Sequence, residues 1–344
     1  MARVVIEKVS PMSQTRRAHD ILAVDNAIVD VLGSTDEAFL GQHGVPKGGM
    51  TLIDTEKAAE ITEALNATAE VAGGMVGNSC ACLASLGGSA RFVGKVGDDA
   101  LGATYRRSMA EVGVVFETRS HPSIPTGRCL IAVTPDAERS MATSLGAAGH
   151  VTVDDIDEGE VAASGVVFLE GFLFEGAEAR AAFDKVVSAA RAADTKVAMT
   201  LCDAGLVERQ HDALLAFLKD GVDILFANDA EACRLTGLGD VDAAVTAIRE
   251  LVPAGAVTRG ADGSTVFGQG EAPQTVPAIA PTQLVDTTGA GDAYAGGFLF
   301  GHVRGWALAD CARLGSLAAS EVISHMGPRP QTSLGALAEG AGLL

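Results

Sequence analysis

The stretch Asp286-Thr287-Thr288-Gly289-Ala290-Gly291-Asp292 decides how this chain reads. Thr275–Val285 before it has the texture of a strand, and Ala293–Val303 after it is apolar at helical spacing. A glycine-rich turn therefore feeds a helix start. The first amides of a helix have no partners inside it, and with the helix dipole they form an anion site. Gly289 and Gly291 carry no side chain to keep a phosphate away. Asp292 in the first turn would repel a phosphate, but it suits a base that takes a proton from an attacking hydroxyl. An anion hole beside an aspartate points to phosphoryl transfer onto an alcohol. The blander alternative is a well-capped helix end without function. No G-x-x-x-x-G-K-[ST] occurs, and Gly94-Lys95 lacks the spacing, so the chain is not a P-loop protein.

The bulk properties narrow the class. A chain of 344 residues with 48% hydrophobic content holds one large α/β domain, or one with a small appendage. A net charge of −19 without a basic stripe argues against nucleic acid as a partner. The six cysteines include no C-x-x-C pair and fit reduced thiols in the cytoplasm. The seven histidines form no ligand-spaced cluster with them, which argues against zinc. No apolar run reaches the ~20 residues of a membrane span. Residues 1–20 are mixed and charged, lack the apolar centre of a secretory signal, and read as a poorly ordered extension.

The longer segment Asp286–Leu299, DTTGAGDAYAGGFL, resembles the C-terminal signature of the ribokinase-like (phosphofructokinase-B type) sugar and nucleoside kinases. Strands alternating with helices through residues 21–326 read independently as a parallel-sheet α/β core. The resemblance implies a three-layer α/β/α core with a mostly parallel central sheet and a small β lid. Residues 21–30, 72–112 and 139–344 are assigned to the core, and 31–71 and 113–138 to the lid. The elements expected include a strand over Ile21–Ile28, a helix over Thr55–Ala69, and a strand pair Val114–Arg119 with Arg128–Pro135.

Several residues acquire roles through this resemblance. Asp30 leaves a strand end, where open α/β sheets bind ligands, although a turn aspartate capping its own backbone reads equally well. The family's aspartate here grips sugar hydroxyls. Ala72–Asn78 resembles the first family signature, so Gly74 and Asn78 are implied to contact the acceptor. By residue type alone, Asn78 reads as the cap of a helix Ser79–Leu86. Pro125–Leu145 resembles the same segment of adenosine kinases, which implies that Arg139 stabilises the transferring phosphoryl group. Arg139 otherwise reads as a surface charge.

Phe172 is core by default, but nucleoside kinases stack an aromatic on the base here. With Leu52, Cys129 and Met141 it would form an apolar slot. Asn228 and Glu231, at i and i+3, share one helix face. They suit a water-bound Mg²⁺ or simply a capping box, and N-x-x-E matches a family motif. The resemblance also places Thr258 and Gly260 beside the nucleotide, and Asp286, Thr288 and Gly327 near a possible monovalent cation such as K⁺.

The reading is thus an ATP- and Mg²⁺-dependent kinase of a nucleoside, most simply adenosine. It acts as a monomer or a lid-mediated homodimer, with Asp292 as base and the Gly289, Ala290 and Gly291 amides around the phosphoryl oxygens. A sugar kinase of the same family is the alternative. A nucleotide-binding regulator without turnover is the reading from another class.

Overall fold

The computed structural model describes residues 17–136 and 138–344. Fourteen strands are described: β1 His19–Val24, β2 Ile28–Ser34, β3 Met50–Leu52, β4 Ala67–Ala72, β5 Ala90–Val93, β6 Val115–Phe116, β7 Gly127–Val133, β8 Arg139–Ser144, β9 Ser164–Glu170, β10 Lys196–Thr200, β11 Ile224–Asn228, β12 Ala254–Thr258, β13 Ser264–Phe267 and β14 Gln274–Val276. Nine of them form a sheet in the order β14-β13-β12-β11-β10-β9-β1-β5-β6, antiparallel only at β12-β13-β14. The other five, β3-β8-β7-β2-β4, form a separate small sheet, the lid.

Alternation along the central strands produces the layers. Ile21 and Ala23 of β1 pack into one core with Phe92, Phe168, Phe226 and Phe298. Leu22 and Val24 pack into a second core with Val167, Leu169, Phe183 and Val197. Both faces of these strands are apolar, because a parallel sheet is covered by helices on both sides. The central sheet is mostly parallel, and with the small separate sheet it gives the α/β architecture that the resemblance implies.

Several expected elements differ. The strand expected over Ile21–Ile28 is two strands in two sheets. It breaks at Asp25-Asn26-Ala27, where the chain crosses from core to lid and Asp25 turns its carboxylate to the Gly77 amide at 2.7 Å. The helix expected to Ala69 stops at Ala64, and Ala67–Ala72 becomes the lid strand beside β2. Pairing to an open sheet edge overrides local helix preference there.

Val115-Phe116 adds to the large sheet beside β5, and the antiparallel partner of β7 is β8. Arg139 therefore belongs to the lid sheet, and residues 115–116 to the core sheet. The strand expected over Thr275–Val285 reaches only Val276, and the approach to the anion turn is irregular. Residues 1–16 of the expected N-terminal extension lie outside the described residues. Arg17 is tied down through Ala193 O at 2.9 Å and through Ala162 O, and β1 starts at His19.

Candidate active site

The helix Ala290–His302 starts at Gly289, whose φ of 79° is left-handed. A Cβ at Gly289 would stand 2.6 Å from Cβ of Pro328, so only glycine fits the turn. A Cβ at Gly291 would meet nothing within 4 Å. Among the described residues, the amides of Gly289, Gly291 and Asp292 donate to no acceptor. The Ala290 amide departs from expectation. It donates to Thr287 O at 3.2 Å and closes the turn, so the open donors are Gly289, Gly291 and Asp292.

These amides line a cleft of about 540 Å³ between the core and the lid. Asp292 lies half-buried in it. Oδ2 of Asp292 accepts from Nδ2 of Asn78 at 3.0 Å, and its carbonyl accepts from the Ser79 hydroxyl at 2.8 Å. Burial pushes the Asp292 carboxyl up to about 7; the Asn78 amide opposes the rise and Asp30 adds to it. A carboxylate titrating near neutrality suits a general base.

Asp30, Gly74 and Asn78 all border the cleft. Asp30 sits on β2 and is pushed up to about 7 by burial, partly offset by Arg329 and Arg139. Its carboxylate leaves no room at Gly73, where a Cβ would lie 2.8 Å from Oδ1. Gly74, at φ 90°, is the N-cap of the helix Met75–Ser85. Asn78 is therefore inside that helix and does not cap it. Its side chain instead bridges two others, accepting from Nε of Arg329 at 3.1 Å and donating to Asp292.

The expected apolar slot is assembled along the same cleft. Leu52, Cys129, Met141 and Phe172 all line it, joined by Met50. Leu52 is 57% exposed and Met50 48%, unusually open for such side chains and facing a void rather than a core.

Asn228 and Glu231 close a complete capping box. Asn228 N and Nδ2 donate to Glu231 Oε2 and Oε1 at 3.0 and 2.7 Å, and Glu231 N returns to Asn228 Oδ1 at 2.8 Å. Burial lifts the Glu231 carboxyl to about 7. Both residues line the cleft, and no group of three or more His, Cys, Asp or Glu able to hold a metal occurs among the described residues. The pair fits a hydrated Mg²⁺ held through water, since each Glu231 oxygen keeps a lone pair. Thr258 lines the cleft, but Gly260 stands outside its lining.

The proposed cation ligands do converge, though on one another. Asp286 Oδ1 accepts from Thr288 N and Oγ1 at 3.1 and 2.8 Å, and Oδ2 accepts from Gly327 N at 3.0 Å. Arg139 adds a guanidinium 3.1 Å from Oδ2. Burial favours the neutral acid, but these donors outweigh it and hold the Asp286 carboxyl below its ordinary value. With two donors on Oδ1, and a donor and the guanidinium on Oδ2, this carboxylate as it stands offers a monovalent cation little room.

Sequence reasoning missed the polar floor. Asp25, Asn26, Glu170 and Cys202 line the cleft together. Asn26 donates to Glu170 Oε2 at 2.8 Å, and Asp25 Oδ1 and Asn26 Oδ1 are buried without a partner among the described residues. The signal was a polar pair inside an apolar run. Cys202 has φ 69°, a strained value for a non-glycine residue. Arg329 carried no signal in the sequence.

The pfkB family carbohydrate kinase model matches residues 43–333. The structure of an adenosine kinase from Sinorhizobium meliloti is 40% identical, with a TM-score of 0.87 over 94% of this chain and 99% of that one. A probable sugar kinase from Rhizobium etli is 38% identical, with a TM-score of 0.88 over 95% and 100% of the two chains. The ribokinase of Arabidopsis thaliana is 29% identical over 272 residues, covering 76% of this chain and 69% of its own length. The signature at Asp286–Leu299, the sheet order and the family match agree: the chain belongs to the pfkB family of carbohydrate kinases and is a phosphotransferase acting on an alcohol group of a nucleoside or sugar.

Proposed function

We propose that this kinase transfers the γ-phosphoryl group of ATP to the 5′-hydroxyl of a nucleoside, with adenosine as the acceptor. The observation that carries the reading is the continuity of one cleft, from an apolar slot at Leu52, Met141 and Phe172 to Asp292 and the open amides. A purine needs an apolar slot, whereas a free sugar would leave it filled only with water. The likeness to the Sinorhizobium meliloti enzyme supports the same choice.

Asp292 takes the proton from the acceptor hydroxyl as the oxygen attacks phosphorus. The Gly289, Gly291 and Asp292 amides receive the phosphoryl oxygens, whose charge they stabilise without reorganising. Arg139 faces the same turn from the lid and adds positive charge there. Asp30 and Gly74 orient the ribose, and Thr258 borders the nucleotide. Asn228 and Glu231 would hold a hydrated Mg²⁺, which when bound neutralises phosphate charge. Lid closure over the cleft excludes water, the competing acceptor.

A sugar acceptor has one observation in its favour, the polar floor at Asp25, Asn26 and Glu170 with its unpartnered oxygens. A thermal-shift panel of adenosine, inosine, ribose and fructose separates the two, because a ligand stabilises by mass action. Adenosine is expected to raise Tm most. Stabilisation by free sugars alone would overturn the nucleoside reading.

A further inference from the structure

Of three consecutive residues beyond the helix Leu308–Val322, two touch the anion turn directly and the third reaches it through Asn78. Gly327 N donates to Asp286 Oδ2 at 3.0 Å. Pro328 occupies the space beside Gly289 that a Cβ would need. Arg329 Nε donates to Asn78 Oδ1 at 3.1 Å, and Nδ2 of the same amide donates to Asp292 Oδ2 at 3.0 Å. The rest of the guanidinium is anchored on the helix Ala100–Glu111, with Nη1 to Ser108 Oγ at 3.1 Å and Nη2 to Met109 Sδ at 3.4 Å. Arg329 thus reaches the carboxylate only through Asn78.

We propose that Arg329 is a positioning residue for phosphoryl transfer, fixing the Asn78 amide so that its NH₂ group holds Asp292 in place for the acceptor hydroxyl. The inference rests on the reading of Asp292 as the base. A guanidinium is a donor only, so the amide must turn its oxygen toward Arg329. Its NH₂ then has to face Asp292. Without Arg329 the amide can rotate and present its oxygen to the carboxylate, which removes a donor and sets two acceptors against each other. A base held by one directional bond loses its aim when that bond goes.

The groups facing Asp292 set the sign of the effect. Asp30 on β2 repels it, Asp25 at the core-to-lid crossing and Cys82 on the helix Met75–Ser85 sense its charge, and Asn78 is its donor. Losing Arg329 also frees Asp30 to take up a proton, which slightly favours Asp292 ionisation. The Asn78 bond is the larger influence on Asp292. The net effect is a base that needs higher pH to ionise.

The test is ADP formation with adenosine as acceptor, or ribose if adenosine is not turned over, across pH for wild type, Arg329→Gln, Arg329→Lys and Asp292→Asn. Arg329→Gln should lower kcat by roughly 10–100-fold, keep both KM values within about threefold, and move the acid limb up by about half a pH unit or more. A folded Arg329→Gln with wild-type kcat and acid limb, or with its loss confined to KM, overturns the proposal. Should Arg329→Gln fail to melt cooperatively, Arg329→Lys carries the test. A single ammonium cannot span Asn78, Ser108 and Met109, so both effects persist in smaller measure, and unchanged values overturn the proposal. Full rate in Asp292→Asn sinks the base reading itself. A silent Arg329→Gln beside an inactive Asp292→Asn sinks only the positioning role.

Discussion

The guanidinium of Arg139, on a lid strand, lies 3.1 Å from Oδ2 of Asp286, at the start of the anion turn. It also reaches the Thr288 hydroxyl at 3.4 Å. This pair joins lid and core where a phosphoryl group would pass. Arg139→Ala leaves Asp286 its donors from Thr288 and Gly327, so the fold should hold. The expected loss in kcat is about 10²–10³, the size of one missing oxyanion donor. Arg139→Lys should recover less than about a tenth of the rate, because an ammonium lacks the fork that spans two oxygens. Steady-state kinetics check both, and near-normal turnover in Arg139→Ala would remove this residue from the chemistry.

Burial of Asp292 has a kinetic signature. A base must be unprotonated to act, and this carboxyl is pushed up to about 7. The rate should therefore climb as pH rises through about 7 and then flatten. Asp292→Asn should abolish that limb and lower kcat by roughly 10²–10⁴, while ATP still raises Tm. A limb centred in the ordinary aspartate range would show that the working base is a different group.

Gly289 and Gly291 should separate folding from catalysis. Alanine at Gly289 must adopt a left-handed conformation, costing about 1–2 kcal/mol, and it also overlaps Pro328. Alanine at Gly291 enters open space. Gly289→Ala should lower Tm, and Gly291→Ala should melt normally but turn over poorly, with its methyl group in the phosphate's path. Comparable Tm losses in both variants would place Gly291 in the scaffold instead.

How much of this is legible in the sequence depends on what each residue answers to. The anion turn is readable because Gly289, Gly291 and Asp292 are local in sequence, and a glycine-rich helix start followed at once by an aspartate serves few purposes besides holding an anion. The central strands are readable because burial on both faces leaves long apolar runs. Ala67–Ala72 is not, because its strand character comes from pairing with β2, and at Val115-Phe116 the strand is readable but its partner β5 is not. Asn78 reads as a cap because Asn before an apolar run commonly is one. Its actual partners, Arg329 and Asp292, are distant in the chain. The capping box at Asn228 and Glu231 is legible for the opposite reason, since both ends of the motif lie within one helical turn.

The acidic cleft should also govern stability. Asp30, Glu170, Glu231 and Asp292 are each pushed up to about 7 by burial, from ordinary values of 3.8 for Asp and 4.5 for Glu. Between those ordinary values and 7 the folded protein binds more protons than the unfolded chain, so stability falls as pH rises through that window. Asp286 works in the opposite sense, but its depressed carboxyl matters only below its ordinary value of 3.8. The net charge of −19 adds repulsion in the same direction as the cleft. Without ligands, Tm should be higher at about pH 5.5 than at about pH 8, by at least about 2 °C. Glu170→Gln cannot ionise, so it should flatten part of that slope while keeping an oxygen for Asn26. A Tm that is level or rises across the interval would mean that these carboxyl groups titrate as they do in water, and the case for Asp292 as a base poised near neutrality would fall with it.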